Sequence, residues 1–157
     1  MDPQTQLTKS VEETYLLAKK VTIDLFAKAK STSLNTIVVL LKGPLGSGKT
    51  TFTKGIAKAL GIEGNIKSPT YTYSNHYKFT QNKESWTLIH FDLYRLDEEI
   101  SNPEQVKAEI GLEEALNSPN TLVIIEWPER LEIGNVNLIL EFETEEEGHR
   151  ITKIIKE

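Results

Sequence analysis

Cysteine is absent from the 157 residues. Disulfides, thiolate metal sites and a cysteine nucleophile are therefore excluded, and the composition suits a reducing compartment. Arginine is scarce, with only Arg95, Arg130 and Arg150. The other cations are lysines scattered among more numerous acids, 18 basic against 23 acidic side chains, for a net charge of -5. A protein that holds nucleic acid by itself usually carries a basic face that displaces counterions from phosphates. Autonomous RNA or DNA binding is thus disfavoured, and any nucleic acid is expected to be held by a partner. No apolar run approaches the ~18 residues of a membrane span. Met1 to Lys9 is polar and has no apolar signal core. The expectation is a cytoplasmic chain with no membrane contact. Internal repeats, long linkers and low-complexity tracts are also missing. What remains is one domain over residues 1–157, large enough to bury a core.

Local patterns divide this domain into alternating helices and strands. Ser10-Val11-Glu12-Glu13 reads as a capping box, and apolar residues at helical spacing (Leu17, Val21, Leu25) carry a helix to about Ala29. Ile37 to Leu41 is a continuous apolar run suited to a strand covered on both faces. Gly43 to Gly48 interrupts it. Helical spacing resumes from Thr50 to Leu60 and ends at Gly61. Thr70–Phe79 and Trp86–Phe91 read as a hairpin around the polar stretch Gln81 to Ser85. Asn102-Pro103 opens a helix toward Asn117, weakened at Gly111. Thr121 to Ile125 is a second buried strand, and Asn137–Phe142 with His149–Ile155 reads as a closing hairpin whose acidic run, Glu143 to Glu147, forms the solvated turn. The order predicts an α/β fold of the P-loop NTPase type. It would be a three-layer sandwich with a small, mostly parallel central sheet, antiparallel edge strands and helices on both faces.

The segment Gly43-Pro44-Leu45-Gly46-Ser47-Gly48-Lys49-Thr50 matches G-x-x-x-x-G-K-[ST]. Its glycines let successive amide hydrogens turn inward toward one anion. The following helix adds the positive end of its dipole. Lysine at this position reaches the β- and γ-phosphates of ATP, and the threonine hydroxyl ligates Mg²⁺. A chance glycine-rich turn matches this pattern in fewer than roughly one chain of this length in a hundred, and this match follows a buried strand and precedes a helix. Leu45, Gly46, Ser47, Gly48, Lys49, Thr50 and Thr51 are therefore the predicted nucleotide-binding residues.

A P-loop protein also needs an acid at the end of a neighbouring strand to complete the Mg²⁺ shell. Asp92 follows Leu88-Ile89-His90-Phe91, and Glu126 follows Leu122-Val123-Ile124-Ile125. Spacing does not rank the two. Trp127-Pro128 would stiffen the chain where it leaves the sheet after Glu126. Ser68 and Thr70, in Lys67-Ser68-Pro69-Thr70-Tyr71, are candidates for a switch-like loop that senses the γ-phosphate through a hydroxyl; a proline-stiffened start of a strand explains the same residues. His90, inside an apolar run, reads as a packed core histidine rather than a catalyst. Arg95 either reaches phosphate or pairs with Asp97 or Glu98.

Several separated segments together resemble one family. They are Gly43-x-Leu45-Gly46-Ser47-Gly48-Lys49-Thr50-Thr51-Phe52, Lys67-Ser68-Pro69-Thr70-Tyr71, His90-Phe91-Asp92-Leu93-Tyr94-Arg95-Leu96 and Glu126-Trp127-Pro128-Glu129. In this order they resemble the TsaE family, also called YjeE, from about residue 10 to beyond residue 140. The P-loop alone would not separate this family from many others. The resemblance implies a weak Mg-dependent ATPase that supports synthesis of N6-threonylcarbamoyladenosine in tRNAs reading codons that begin with adenosine. It implies association with the TsaD–TsaB heterodimer, which transfers the threonylcarbamoyl group, while TsaC-type enzymes make the donor. ATP binding and hydrolysis would then serve repeated turnover of that complex, and tRNA would be met only through it. Carried over by position, Lys49 and Thr50 hold phosphate and Mg²⁺, and Glu126 is the metal-binding acid. Asp92 is an acid needed for hydrolysis, and Thr70 lies in the switch-like loop. The base would rest near the start of the first helix, around Val11 to Thr14. Pro44 departs from the family, which usually has aspartate there, and removes one polar contact to nucleotide or partner.

Two other functions fit a P-loop less well. A small-molecule kinase needs several cations around the transferred phosphoryl group, and three arginines with no arginine-rich lid do not supply them. A GTPase would read guanine with Asn-Lys-x-Asp, whereas Asn82-Lys83-Glu84-Ser85 lacks the aspartate.

Overall fold

The strand Thr36–Lys42 shows how the fold is organised. Its alternation sends Ile37, Val39 and Leu41 to one face and Val38 and Leu40 to the other, and all five are buried. Such a strand requires cover on both sides. In the computed structural model, which describes residues 4–69, 72–97 and 100–155, that cover is helical. The elements are β1 (Gln4–Thr8), α1 (Val11–Thr32), β2 (Thr36–Lys42), α2 (Lys49–Ala59), β3 (Ser74–Gln81), β4 (Glu84–Asp92), α3 (Pro103–Glu109), α4 (Leu112–Leu116), β5 (Thr121–Glu126), a 3-10 turn (Pro128–Arg130), β6 (Leu138–Glu145) and β7 (Gly148–Ile155).

The seven strands form one sheet in the order β1-β7-β6-β2-β5-β4-β3. The central strands β6, β2, β5 and β4 are parallel. β3 flanks them antiparallel on one side, and β7 and β1 do so on the other. The sheet is larger than expected, and its pairings are evenly divided between the two senses.

On one face, α1 and α2 pack Ala18, Val21, Phe26, Phe52 and Ile56 against Ile37, Val39, Leu41, Leu122 and Ile124. Phe26 meets Trp86 edge-on at 5.1 Å and Phe79 at 6.0 Å, tying the β3–β4 hairpin to α1. Gly55 sets how closely the two helices approach, because a Cβ there would lie 2.7 Å from the Ala18 Cβ. On the other face, α4 and the chain after β5 pack Leu112, Ala115 and Leu131 against Val38, Leu40, Val123 and Ile125. The result is the expected three-layer sandwich.

Several boundaries moved for identifiable reasons. Ser10 Oγ accepts from the Glu13 amide at 3.1 Å, whereas the Glu13 carboxylate reaches the Lys9 amide rather than that of Ser10. α1 runs three residues past Ala29, ending where Ser33 adopts a left-handed cap with φ 56. The helix expected from Pro103 to Asn117 divides in two at Gly111, whose φ of 80 no helix interior accommodates. The β3–β4 turn needs only Asn82 and Lys83, both at positive φ (51 and 64), as a two-residue hairpin loop requires. Glu143, Thr144 and Glu145 lie in β6, so the closing turn is only Glu146-Glu147. β1 was not legible because Gln-Thr-Gln-Leu-Thr is polar. It is held by backbone pairing to β7, not by apolar alternation.

Candidate functional site

Parallel strands end together, and the loops beyond their C-terminal ends form the natural crevice of such a sheet. Here β2 leads directly into Gly43–Gly48, and α2 begins at Lys49. Gly46 and Gly48 hold φ of 73 and 99, which turn the loop back on itself. Gly48 is the N-cap of α2 and offers no side-chain cap, and the helical ladder starts only with the Phe52 amide on the Gly48 carbonyl at 2.9 Å. The first amides of α2 thus have no partner within the helix. Ser47 Oγ is buried without a hydrogen-bond partner among the described residues. Uncapped amides and an orphaned hydroxyl at a glycine-shaped loop fit a phosphate group.

This loop forms one wall of a cleft of about 310 Å³, lined by Leu45 to Thr51, Ser68, Asp92, Tyr94, Glu126, Trp127 and His149. Lys49 is 5% exposed. Its Nζ donates to the Gly43 carbonyl and to the Pro44 carbonyl, the latter at 2.9 Å, and lies 4.4 Å from the centre of the Trp127 ring. Burial pushes its pKa below the ordinary lysine value, against the upward pull of Glu126, Glu129 and Asp92.

The two acids that spacing could not rank are direct neighbours. Parallel pairing of β4 with β5 sets Asp92 opposite Glu126. The alternation that puts Leu122 and Ile124 against α1 and α2 also turns Glu126 toward α2. Glu126 is 2% exposed. It accepts the Thr50 hydroxyl at 3.1 Å (Oε1) and 3.4 Å (Oε2), and its Oε2 lies 2.5 Å from His90 Nε2. Asp92 is half-buried, and its Oδ1 accepts the Tyr94 amide at 3.1 Å. Burial raises the Asp92 pKa and Glu126 adds to the rise, while the Tyr94 amide, His90 and Lys49 oppose it. Ser68 Oγ is 3.4 Å from Thr50 Oγ1. Among the described residues no group of three or more His, Asp or Glu side chains converges on one point. A hydroxyl and two carboxylates suit Mg²⁺, a cation that retains waters and takes its other oxygens from substrate phosphates.

Trp127 closes the far side. It adopts a left-handed conformation (φ 58, ψ 48), which costs a non-glycine residue about 1–2 kcal/mol. Its ring contacts Tyr94 at 5.0 Å and the Arg130 guanidinium at 5.5 Å. The strain points the indole at Lys49 instead of along the strand.

Of the residues singled out in the sequence, Leu45, Gly46, Ser47, Gly48, Lys49, Thr50, Thr51, Ser68, Asp92 and Glu126 come together in this cleft. Thr70 lies outside the described residues. Val11 and Thr14 do not line the cleft: Val11 is exposed on the first turn of α1, and the buried Thr14 hydroxyl bonds to Thr8 Oγ1 at 2.9 Å. Arg95 is exposed in the turn after β4 and does not line the cleft either. Four contributors were missed, one of them Trp127, expected only to stiffen the chain. Tyr94 and His149 reach the cleft from β4's exit and from β7. His90 is buried as expected, yet it is bonded to the acid rather than merely packed. Its signal was the period of two that places Leu88, His90 and Asp92 on one face of β4. The Asn82-Lys83 turn lies at the start of β4, some eight residues or roughly 26 Å of extended strand from Asp92, too far to read a base held at the phosphate loop.

A phosphate loop between a central parallel strand and a helix, with acids at the ends of the adjoining strands, places the chain in the P-loop NTPase-like class of α/β proteins. The sequence model of the family described as "Threonylcarbamoyl adenosine biosynthesis protein TsaE" matches residues 8–153. An Aquifex aeolicus tRNA threonylcarbamoyladenosine biosynthesis protein TsaE is 33% identical over 153 residues, covering 96% of this chain and 94% of that protein. The Haemophilus influenzae protein of the same name is 40% identical over 94 residues, covering 60% of this chain and 53% of its own length. The match thus spans about half the length of that relative, and 55% of a Synechocystis one. The crystal structure of Bacillus subtilis YdiB superposes with a TM-score of 0.64 at 27% identity, covering 99% of this chain and 87% of that one. The chain belongs to the TsaE family.

Proposed function

We propose that this protein binds Mg-ATP in the cleft, hydrolyses it slowly, and thereby sustains turnover of a cytoplasmic TsaD–TsaB complex that makes N6-threonylcarbamoyladenosine in tRNA. The observation that carries the reading is the convergence of Thr50, Glu126 and Asp92 beside the uncapped start of α2. The family's place in threonylcarbamoyladenosine biosynthesis supports the biological setting. The net charge of -5 supports leaving tRNA to the partners.

Each residue has a distinct task in this reading. The loop amides from Gly46 to Thr50 bind the β- and γ-phosphates, and Lys49 exchanges its loop carbonyls for phosphate oxygens. Thr50 and Glu126 hold the metal. Bound Mg²⁺ neutralises charge across the phosphates and the leaving oxygen. Asp92 is the carboxylate left to orient water. The burial that lifts its pKa also makes it a better proton acceptor than an ordinary aspartate. Trp127 and Tyr94 wall off the Lys49 side of the cleft. The site has few cations to spare for a second phosphoryl acceptor, which favours water over a metabolite as acceptor.

A calorimetric titration with Mg-ATP is expected to show saturable binding, and a flat trace on folded protein overturns the proposal. Glu126→Ala and Asp92→Ala are each expected to depress hydrolysis, and parental rates in both refute the assigned roles. TsaD and TsaB are expected to be captured more strongly with ATP than without. Phosphorylation of an added metabolite would instead identify a kinase.

A further inference from the structure

We propose that His90 is a positioning residue that fixes which oxygen of Glu126 is presented to the metal, an inference that rests on the Mg-ATP reading of the cleft. His90 is 0% exposed and does not line the cleft, so it has no direct access to nucleotide or water. Its Nε2 lies 2.5 Å from Glu126 Oε2, while Thr50 Oγ1 sits nearer the other oxygen, 3.1 Å from Oε1 against 3.4 Å from Oε2. A carboxylate oxygen only accepts, so the ring hydrogen belongs on Nε2. Nδ1 is buried with no hydrogen-bond partner among the described residues. Leaving a lone pair there is less costly than burying an unpaired N–H donor, which agrees with the same tautomer.

The two partners of Glu126 differ in what nucleotide binding asks of them. The Thr50 hydroxyl must turn to the metal, which releases Oε1. The imidazole is enclosed: His90 is 0% exposed near the C-terminal end of β4, between Asn75 and Ile124 on the flanking strands. Oε2 therefore stays tied to the sheet, and Oε1 faces the metal in one rotamer. Without the imidazole donor both oxygens are free to rotate, and the carboxylate must be ordered anew each time metal binds. An outer partner of this kind ordinarily contributes about 10–100-fold to metal affinity. His90 thus acts on the metal through Glu126, and on the phosphate cradle not at all.

The test uses variants that differ in reach. His90→Gln carries an N–H donor out to about the position of Nε2. His90→Asn carries the same group only as far as Nδ1, and His90→Phe fills the space with no donor. Mn²⁺ affinity is read by electron paramagnetic resonance on full-length protein saturated with a non-hydrolysable ATP analogue, and ADP affinity is read separately in EDTA. The expected result is a loss of Mn²⁺ affinity of about 10–100-fold in the Asn and Phe variants, near-parental affinity in the Gln variant, and unchanged metal-free ADP binding in all three. Equal Mn²⁺ affinity in the Gln and Asn variants overturns the inference, even if the Phe variant does not fold. So does a parallel fall in metal-free ADP binding, which would mark His90 as structural. A parent that binds no Mn²⁺ with the nucleotide removes the Mg-ATP reading itself, and the role of His90 with it.

Discussion

Replacing Lys49 by methionine should separate stability from binding, because burial disfavours the lysine charge and the proposed Mg-ATP site gives that charge its phosphate partner. Its ammonium is buried against Trp127 and the loop carbonyls of Gly43 and Pro44, and burial lowers its pKa despite three nearby carboxylates. A cation whose folded pKa lies below its unfolded value binds fewer protons in the folded state between those two values. Its charge therefore weighs against folding at every lower pH, and that burden is relieved as pH rises from the folded value toward 10.5. Methionine keeps most of the stem and removes the charge. The Pro44 carbonyl keeps the Ser47 amide as a donor at 3.3 Å after the ammonium is removed. Lys49→Met is expected to melt at or above the parental temperature at neutral pH, with any gain shrinking as pH approaches the lysine range. Binding should move the other way. One charge-assisted hydrogen bond to phosphate contributes about 1.5–3 kcal/mol, so Mg-ATP affinity should fall about 10–150-fold. Differential scanning fluorimetry from pH 7 to 10 and isothermal titration calorimetry measure the two effects. A variant that melts well below the parent would show Lys49 to be a structural cation, and the account of a ligand-ready lysine would be wrong.

Other perturbations have defined outcomes. Thr50→Val keeps the shape and removes the hydroxyl that Glu126 accepts at 3.1 Å; it should cost about 0.5–1.5 kcal/mol of stability and raise the Mg²⁺ concentration needed for half-maximal hydrolysis. Asp92→Asn should stabilise the nucleotide-free protein at neutral pH, because a carboxyl whose folded pKa is raised loses stability as pH climbs from its unfolded to its folded value. The advantage should vanish below the unfolded pKa, as thermal melts from pH 3 to 7 would reveal, while hydrolysis falls. Gly55→Val drives a Cβ to within 2.7 Å of the Ala18 Cβ across the α1–α2 contact and should cost about 1–3 kcal/mol by overpacking. A chemical denaturation midpoint equal to the parent's would show that the helices separate freely.

Much of the site could be read from residue order because its chemistry is local. The phosphate cradle is a property of consecutive backbone units. Glycines at Gly46 and Gly48 and a helix starting at Lys49 produce it wherever the chain runs. The buried strands β2 and β5 announced themselves as apolar runs, and Asp92 and Glu126 directly followed the apolar ends of β4 and β5. The relation between Asp92 and Glu126 was not local. They are 34 positions apart, and only the parallel β4–β5 pairing makes them opposite partners. β1, whose side chains are polar except for Leu7, acquired its structure from β7. The helix expected after Pro103 was divided by one backbone angle at Gly111, and helical spacing carries no record of that angle.

Sequence alone determined the fold class and where a glycine-turned loop would join a buried strand to a helix, since both follow from short-range backbone preferences and hydrophobic period. Tertiary structure decided what surrounds that loop. Strand order brought Glu126 under Thr50, the face alternation of β4 turned His90 onto Glu126, and the left-handed turn at Trp127 laid an indole against Lys49. Side chains distant in the chain meet only once strands choose their neighbours, and that choice is made by the whole core at once.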